Sequence, residues 1–215
     1  MYKRQFLVNP HNPTGIVADA EEFKRFARAT ARQALVIVDE AYLEFAGQFA
    51  ERSLVDLVRA GDNVIVFRTF AKVYGLAGLE IGYGLVPKPI AKTLSAQGLD
   101  NPHLFNRLAV VAASASLQDG AYVARVTREV ARERDLWFGL FRELNLKFTP
   151  SAGNFVFFET GIAHPEFAAA LARDGVVIGR KFAPFDRWAR ISIGLPAENA
   201  AARIAVRKVL RGVAA

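Results

Sequence analysis

Lys72 follows the apolar run Val64-Ile65-Val66-Phe67 in the stretch Arg68-Thr69-Phe70-Ala71-Lys72-Val73-Tyr74-Gly75-Leu76-Ala77-Gly78. A lysine just past a buried strand, beside glycines that let backbone approach closely, has the position of an amine at a ligand crevice. In a desolvated pocket such an amine loses its proton and attacks a carbonyl to give a Schiff base. Asp39 opens a second segment, Asp39-Glu40-Ala41-Tyr42, after Leu35-Val36-Ile37-Val38. A carboxylate anchored at a buried strand end can hold a proton on a heterocyclic nitrogen, because the ion pair strengthens where water is scarce. The third segment, Asn9-Pro10-His11-Asn12-Pro13-Thr14-Gly15 after Phe6-Leu7-Val8, supplies Asn12. An amine to carry an aldehyde and an acid to keep a ring nitrogen charged are together what an electron-sink cofactor requires. Each segment also has an ordinary reading. Asn-Pro-Thr-Gly is a good turn sequence, Asp39-Glu40 suits a helix cap, and a lone lysine is most often a surface residue.

For these residues to meet, the strands before them must end on one edge. The first part of the chain alternates short apolar runs with helical patterns. Strands are predicted at 5–8, 35–38 and 63–67, with helices near 18–32 and 53–60, and this alternation implies βαβ units with a mainly parallel sheet. Right-handed crossovers then bring all three strand ends to one edge. The run 79–86 reads as a further strand closed by Pro87-Lys88-Pro89. After Asn101-Pro102 an Ala/Val-rich segment, 108–117, leads to a long amphipathic helix over 122–144, and the composition changes. The rest reads as a smaller α+β unit, with strands at 147–149, 154–158, 176–178 and 189–193 and helices near 165–173 and 197–210. The domains expected are 1–112 and 113–215.

The 215 residues are 52% apolar, enough for a substantial core. No apolar run reaches the length of a membrane span, and the first residues do not form a signal-peptide pattern, so a soluble, cytoplasmic protein is expected. The chain has no cysteine, which removes disulfides, thiol nucleophiles and cysteine-based metal sites. His11, His103 and His164 are too scattered to form a ligand set, so no metal is expected. The net charge of +7 is spread as interleaved pairs, Arg125, Arg128, Arg132 and Arg134 among Glu129, Glu133 and Asp135. That is the pattern of a solvated helix face and not of nucleic-acid recognition.

The three strand-end segments, extended to Val38-Asp39-Glu40-Ala41-Tyr42-Leu43-Glu44-Phe45 and to Leu79, together with Arg190-Ile191-Ser192-Ile193-Gly194, resemble class I/II aminotransferases of fold type I, most of all histidinol-phosphate aminotransferases. The resemblance implies an α/β large domain, present in part and mainly parallel, followed by a small α+β domain. It implies pyridoxal 5'-phosphate as cofactor, amino and keto acids or phosphorylated keto compounds as substrates, and a homodimer. Lys72 would carry the cofactor and move a proton. Asp39 would pair with the pyridinium nitrogen, Asn12 and Tyr42 would bond the phenolic oxygen, and Thr69 would donate to the phosphate. Arg190 would grip the substrate carboxylate, its planar fork matching that group. Asn154, in Ser151-Ala152-Gly153-Asn154-Phe155, would help orient this grip. A decarboxylase on the same fold, such as the threonine-phosphate decarboxylases, shares the lysine and the aspartate.

The chain departs from the pattern at two places. Glu80 stands eight residues after the lysine, where the family has an arginine on the cofactor phosphate, and Ala71 replaces a common serine. A carboxylate near a phosphate dianion repels it. The family also carries a long portion before the Asn-Pro motif, so the sequence reads as a C-terminal part with an exposed sheet edge. A non-catalytic remnant or interaction module of the same fold is therefore the alternative to an enzyme.

Overall fold

A computed structural model of the chain describes residues 3–99 and 101–213. Two compact units make it up: residues up to Pro10 together with Val17–Thr127, and His11–Ile16 together with the residues from Arg128 on. The division falls inside a long helix.

In the first unit, β1 (Arg4–Val8), β2 (Leu35–Asp39) and β3 (Val64–Thr69) are parallel, and β4 (Gly82–Leu85) joins β3 antiparallel, in the order β1-β2-β3-β4. The register aligns Val8 with Asp39 and Asp39 with Phe67, so the chain leaves all three parallel strands at one edge. One face of the sheet (Leu7, Val36, Val38, Val64, Val66 and Leu85) packs on Phe23 and Ala27 of helix α1 (Ala20–Ala31) and on Leu54, Leu57 and Val58. Side chains alternate along strands, so Phe6, Val8 and Phe67 project from the other face, where they are 65%, 39% and 47% exposed.

Where this unit differs from the sequence reading, a local commitment explains the difference. The helix expected over 53–60 is present as α3 (Val55–Arg59), and a short helix not expected, α2 (Phe49–Arg52), precedes it; Ser53 between them is extended with ψ 142° and its hydroxyl is bonded to Glu40. The strand expected over 79–86 begins only at Gly82: a 3-10 turn covers Ala77–Leu79, and Glu80 is left-handed with φ 49°. Pro87-Lys88-Pro89 does not merely stop that strand but starts helix α4 (Lys88–Ala96), proline being well suited to a first helical turn. Helix α5 (Arg107–Gln118) follows, capped by the Asn106 side chain.

The 24-residue helix α6 (Gly120–Glu143) leads into the second unit, where β5 (Phe155–Glu159) and β6 (Trp188–Ser192) pair antiparallel. Val156, Phe158, Ala189 and Ile191 form one face and are buried against Trp137, Leu140 and Phe141 of α6, with Phe167 and Leu171 of α7 (His164–Arg173) and Val206 of α8 (Pro196–Val213). Two expected strands are absent. Residues 147–149 make only a single bridge, Phe148 to Phe158, between the left-handed Asn145 and Pro150. Val176 and Ile178 pack on the core but join no ladder, lying between Gly175, with φ 77°, and Gly179.

The deepest charge of the first unit is Glu40, 1% exposed. Its carboxylate accepts from Arg68 Nε and Nη2 at 3.1 and 2.9 Å, from the Ser53 hydroxyl at 2.9 Å and from the Leu54 N–H at 2.7 Å. Truncating one partner of such a group strands the other charge in the interior. Glu40→Ala is expected to lower unfolding stability in urea by about 3–5 kcal/mol, and adding Arg68→Met to it should recover part of that loss.

Candidate functional site

The end of β2 places Asp39 and the end of β3 places Thr69, three residues before Lys72. Asp39 is tied at its backbone, where its carbonyl accepts from the Asn9 N–H at 3.0 Å, and its Oδ1 accepts from the Ala41 N–H at 2.9 Å. Such an Asx-type turn directs the carboxylate out of the strand end. Thr69 Oγ1 accepts from the Ala71 N–H at 3.0 Å, which leaves its hydroxyl proton available to a ligand. Lys72 begins a turn closed by the Gly75 N–H to the Lys72 carbonyl at 3.0 Å, and Gly75 has φ +72°, a conformation that favours glycine. Phe70, 4% exposed, pins this turn from below through its contacts with Tyr74 and Tyr83 at 5.0 and 5.4 Å between ring centroids.

Asp39, Thr69 and Lys72 line a single cavity of about 520 Å³, walled by Phe6, Val8 and Phe67 from the open face of the sheet. The Lys72 ammonium lies 5.5 Å from the centre of the Tyr42 ring. Glu80 lies between the 3-10 turn Ala77–Leu79 and β4, and does not line this cavity. The Ile81 carbonyl beside it accepts from the Phe70 N–H at 3.1 Å, one step beyond the Thr69–Gly82 pair, and Glu80 itself is exposed. Ala71, the other departure, lines the cavity without a polar side chain.

In the second unit, the 11–16 segment is held by backbone contacts. The Thr149 hydroxyl donates to the Thr14 carbonyl at 2.5 Å and the Ala152 N–H to the Gly15 carbonyl at 2.7 Å. Gly15 lies so close that a Cβ there would fall 1.9 Å from Ser151 Oγ. This anchoring brings Asn12 to Arg190, whose Nη1 donates to the Asn12 Oδ1 at 2.6 Å. Asn154 lies just before β5, and its carbonyl accepts from the Ile193 N–H at 2.9 Å. No hydrogen bond of its side chain to Arg190 is present among the described residues. The structure thus groups Asp39, Thr69 and Lys72 around one cavity, with Tyr42 against the amine, and pairs Asn12 with Arg190.

Several residues that matter here carry no motif-level role in the sequence reading. Glu40, Ser53 and Arg68 fix the turn that follows β2, and the signal was the acidic pair Asp39-Glu40 followed by an arginine at the end of the next strand. Glu44 sits in the 3-10 turn Leu43–Ala46. Burial pushes its carboxyl up to about 7, with the nearby Glu40 charge adding to the effect and Arg68 opposing it. Burial also raises the Tyr74 phenol, helped by Glu44. Among the described residues no group of three or more His, Asp or Glu side chains could hold a metal ion, and no helix is long and apolar enough to cross a membrane.

A mainly parallel sheet with an amine, a carboxylate and a hydroxyl gathered at its strand ends has the arrangement in which open α/β sheets place their ligand crevices. Residues 3–206 match the sequence model of the family described as aminotransferase class I and II, and the chain belongs to that family. It is 38% identical over 206 residues to the histidinol-phosphate aminotransferase of Akkermansia muciniphila, with 95% of this chain and 55% of that protein covered. The crystal structure of histidinol-phosphate aminotransferase from Sinorhizobium meliloti in complex with pyridoxal-5'-phosphate superposes with a TM-score of 0.83 at 33% identity, covering 98% of this chain and 58% of that one. L-threonine-O-3-phosphate decarboxylase from Porphyromonas gingivalis shares the fold, with a TM-score of 0.82 at 22% identity, covering 97% of this chain and 65% of that one. The chain spans about half the length of the curated relatives it matches.

The raised Glu44 carboxyl has a definite sign. Between pH 4.5 and about 7 the folded state holds a proton that the unfolded state has released, so stability falls as pH rises through that window. Glu44→Gln should flatten this limb of a stability–pH profile measured by denaturant unfolding, by on the order of 1–2 kcal/mol given its partly open surroundings.

Proposed function

We propose that the chain supplies the lysine-bearing part and the carboxylate-gripping part of a pyridoxal-phosphate-dependent aminotransferase. It would move an amino group between an amino acid and a keto acid or phosphorylated keto compound, as in histidinol-phosphate aminotransferases. In this reading the first unit is the cofactor-binding part and the second is the small domain. The observation that carries the proposal is that Lys72 and Asp39 share one cavity, of about 520 Å³, within the usual range for a cofactor site. Its apolar walls suit a flat ring, and its polar groups suit the ring's substituents.

When bound, the cofactor supplies a protonated pyridine ring that accepts the electron pair released at the substrate Cα. Asp39 holds the proton on the ring nitrogen, and its Ala41 N–H bond fixes the direction from which it does so. Lys72 Nζ would hold the cofactor and, once displaced from it by the substrate amine, would take and return the proton at the substrate Cα as general base and acid. The Tyr42 ring limits where that amine can swing. The Thr69 hydroxyl donates to the phosphate, and Asn12 and Tyr42 serve the phenolic oxygen. Arg190 binds the substrate carboxylate, with Asn154 a further substrate-side residue. A cytoplasmic location, a homodimeric state and a place in amino-acid biosynthesis belong to the same reading.

A second reading is favoured by Glu80, whose charge opposes a phosphate at the Thr69–Lys72 turn: a protein that keeps the fold without the cofactor. Colour separates the two. Incubation with pyridoxal phosphate should produce a visible absorption band that Lys72→Ala lacks, and a colourless wild-type protein would favour the second reading. Glu80→Arg should tighten cofactor binding by about tenfold, because it replaces a repulsion by an attraction. Unchanged affinity would mean that the phosphate lies elsewhere.

A further inference from the structure

Arg190 differs from Arg203 and Arg207, half-buried arginines of the same unit that are paired with carboxylates. Arg203 is neutralised by Glu133 at 2.8 Å and Arg207 by Glu143 at 2.8 Å. Among the described residues no carboxylate forms an ion pair with Arg190. Its contacts are neutral: the Asn12 amide oxygen, and the rings of Phe155 and Phe182, whose centres lie 5.1 and 4.9 Å from its Cζ. Rings and one amide can hold a guanidinium in place and lower its hydration without cancelling its charge.

Phe155 belongs to β5, but Phe182 is brought in by the connection between α7 and β6, and that connection is fastened. The Phe185 N–H donates to the Phe182 carbonyl at 2.7 Å, and Lys181 pairs with Asp186 at 2.7 Å. Phe157, fully buried, meets both Phe182 and Phe185 edge-on at 6.3 and 5.3 Å. A second guanidinium, that of Arg180, lies 5.0 Å from the centre of the Phe182 ring. That ring therefore meets two cations, and of the two Arg190 is the one also tethered by Asn12.

We propose that Phe182 is a positioning residue for carboxylate binding: with Phe155 and Asn12 it locks the Arg190 guanidinium, unpaired and partly dehydrated, so that its remaining N–H groups accept a carboxylate ligand in one orientation. The inference rests on the reading of Arg190 as the substrate grip and adds the residue that determines its strength. A preorganised donor fork binds more tightly because less side-chain freedom is lost on binding.

Glutarate serves as the probe, with binding followed on the isotope-labelled chain through the Arg190 Nε–H signal, assigned by its absence in Arg190→Lys. The wild-type signal is expected to be ring-shifted and to move saturably on titration. Phe182→Leu should remove the ring shift and raise the glutarate dissociation constant about tenfold, as expected for losing one partly desolvated cation–π contact. Phe182→Tyr, which keeps an aromatic face, should restore both, a recovery that mere loss of bulk would not predict, since leucine already fills much of the volume. Phe155→Leu offers an independent loss of the other ring, with the unfolding midpoint of each variant showing that it is folded. Unchanged signal and affinity in Phe182→Leu would overturn the proposal, as would a wild-type protein that binds no glutarate. Neither outcome touches the pyridoxal phosphate absorption at Lys72, so this proposal and the cofactor reading fail separately.

Discussion

The first unit depends on one carboxylate. Glu40 collects a guanidinium at the end of β3, a hydroxyl at the break between α2 and α3, and a backbone N–H at the start of α3. The stretches around Glu40, Ser53-Leu54 and Arg68 are thereby fixed at one point, and Asp39 and Lys72 are short extensions from it. Asp39 is its immediate neighbour, and Lys72 lies one turn beyond Arg68. A buried ion pair of this kind adds little net stability over a well-packed apolar substitute, but it discriminates strongly against arrangements that leave either charge alone. Its contribution is to register: it sets where the strand-end turns point. The Phe49 ring, 4.5 Å from the Arg68 Cζ, closes the remaining side of the guanidinium.

The second unit treats its key arginine in the opposite way. Arg68 is neutralised and serves architecture, whereas Arg190 is held by an amide and aromatic rings without an ion pair among the described residues. Fixing a cation without neutralising it costs solvation, and the β5–β6 sheet meets that cost on the face that carries Phe155 and Phe157 while its opposite face forms the core. Burial raises the Glu44 carboxyl, and the Arg68 charge that opposes this rise is already shared with Glu40.

Much of this was legible in the residues. The three parallel strands and the polar residues at their ends follow from alternating apolar runs; Asp39 and Lys72 stood out as an acid and an amine just past buried strands, while Thr69 was singled out only by the family resemblance, and the fold places all three along one cavity. The misread elements were those governed by tertiary contacts. Val176–Val177–Ile178 has the composition of a strand, yet packing of its alternate side chains satisfied the core without a ladder. Ser53 looked like part of a helix until Glu40 claimed its hydroxyl. Phe182 lies in a connection with no periodicity, so nothing local marked its ring as a partner for Arg190, eight residues on. Glu80 could be recognised as a departure from its type of residue, but only the fold shows it exposed and left-handed between the Ala77–Leu79 turn and β4.

The central claim is that the Glu40–Arg68 tie holds the amine of Lys72 in the cavity of Asp39. Borohydride reduction after brief exposure to pyridoxal phosphate, followed by mass-spectrometric mapping of the labelled lysines, tests it most directly. The account predicts label concentrated at Lys72 in the wild-type protein and scattered over surface lysines in a folded Glu40→Gln, Arg68→Met variant. Label equally concentrated at Lys72 in both proteins, or scattered in both, would contradict it.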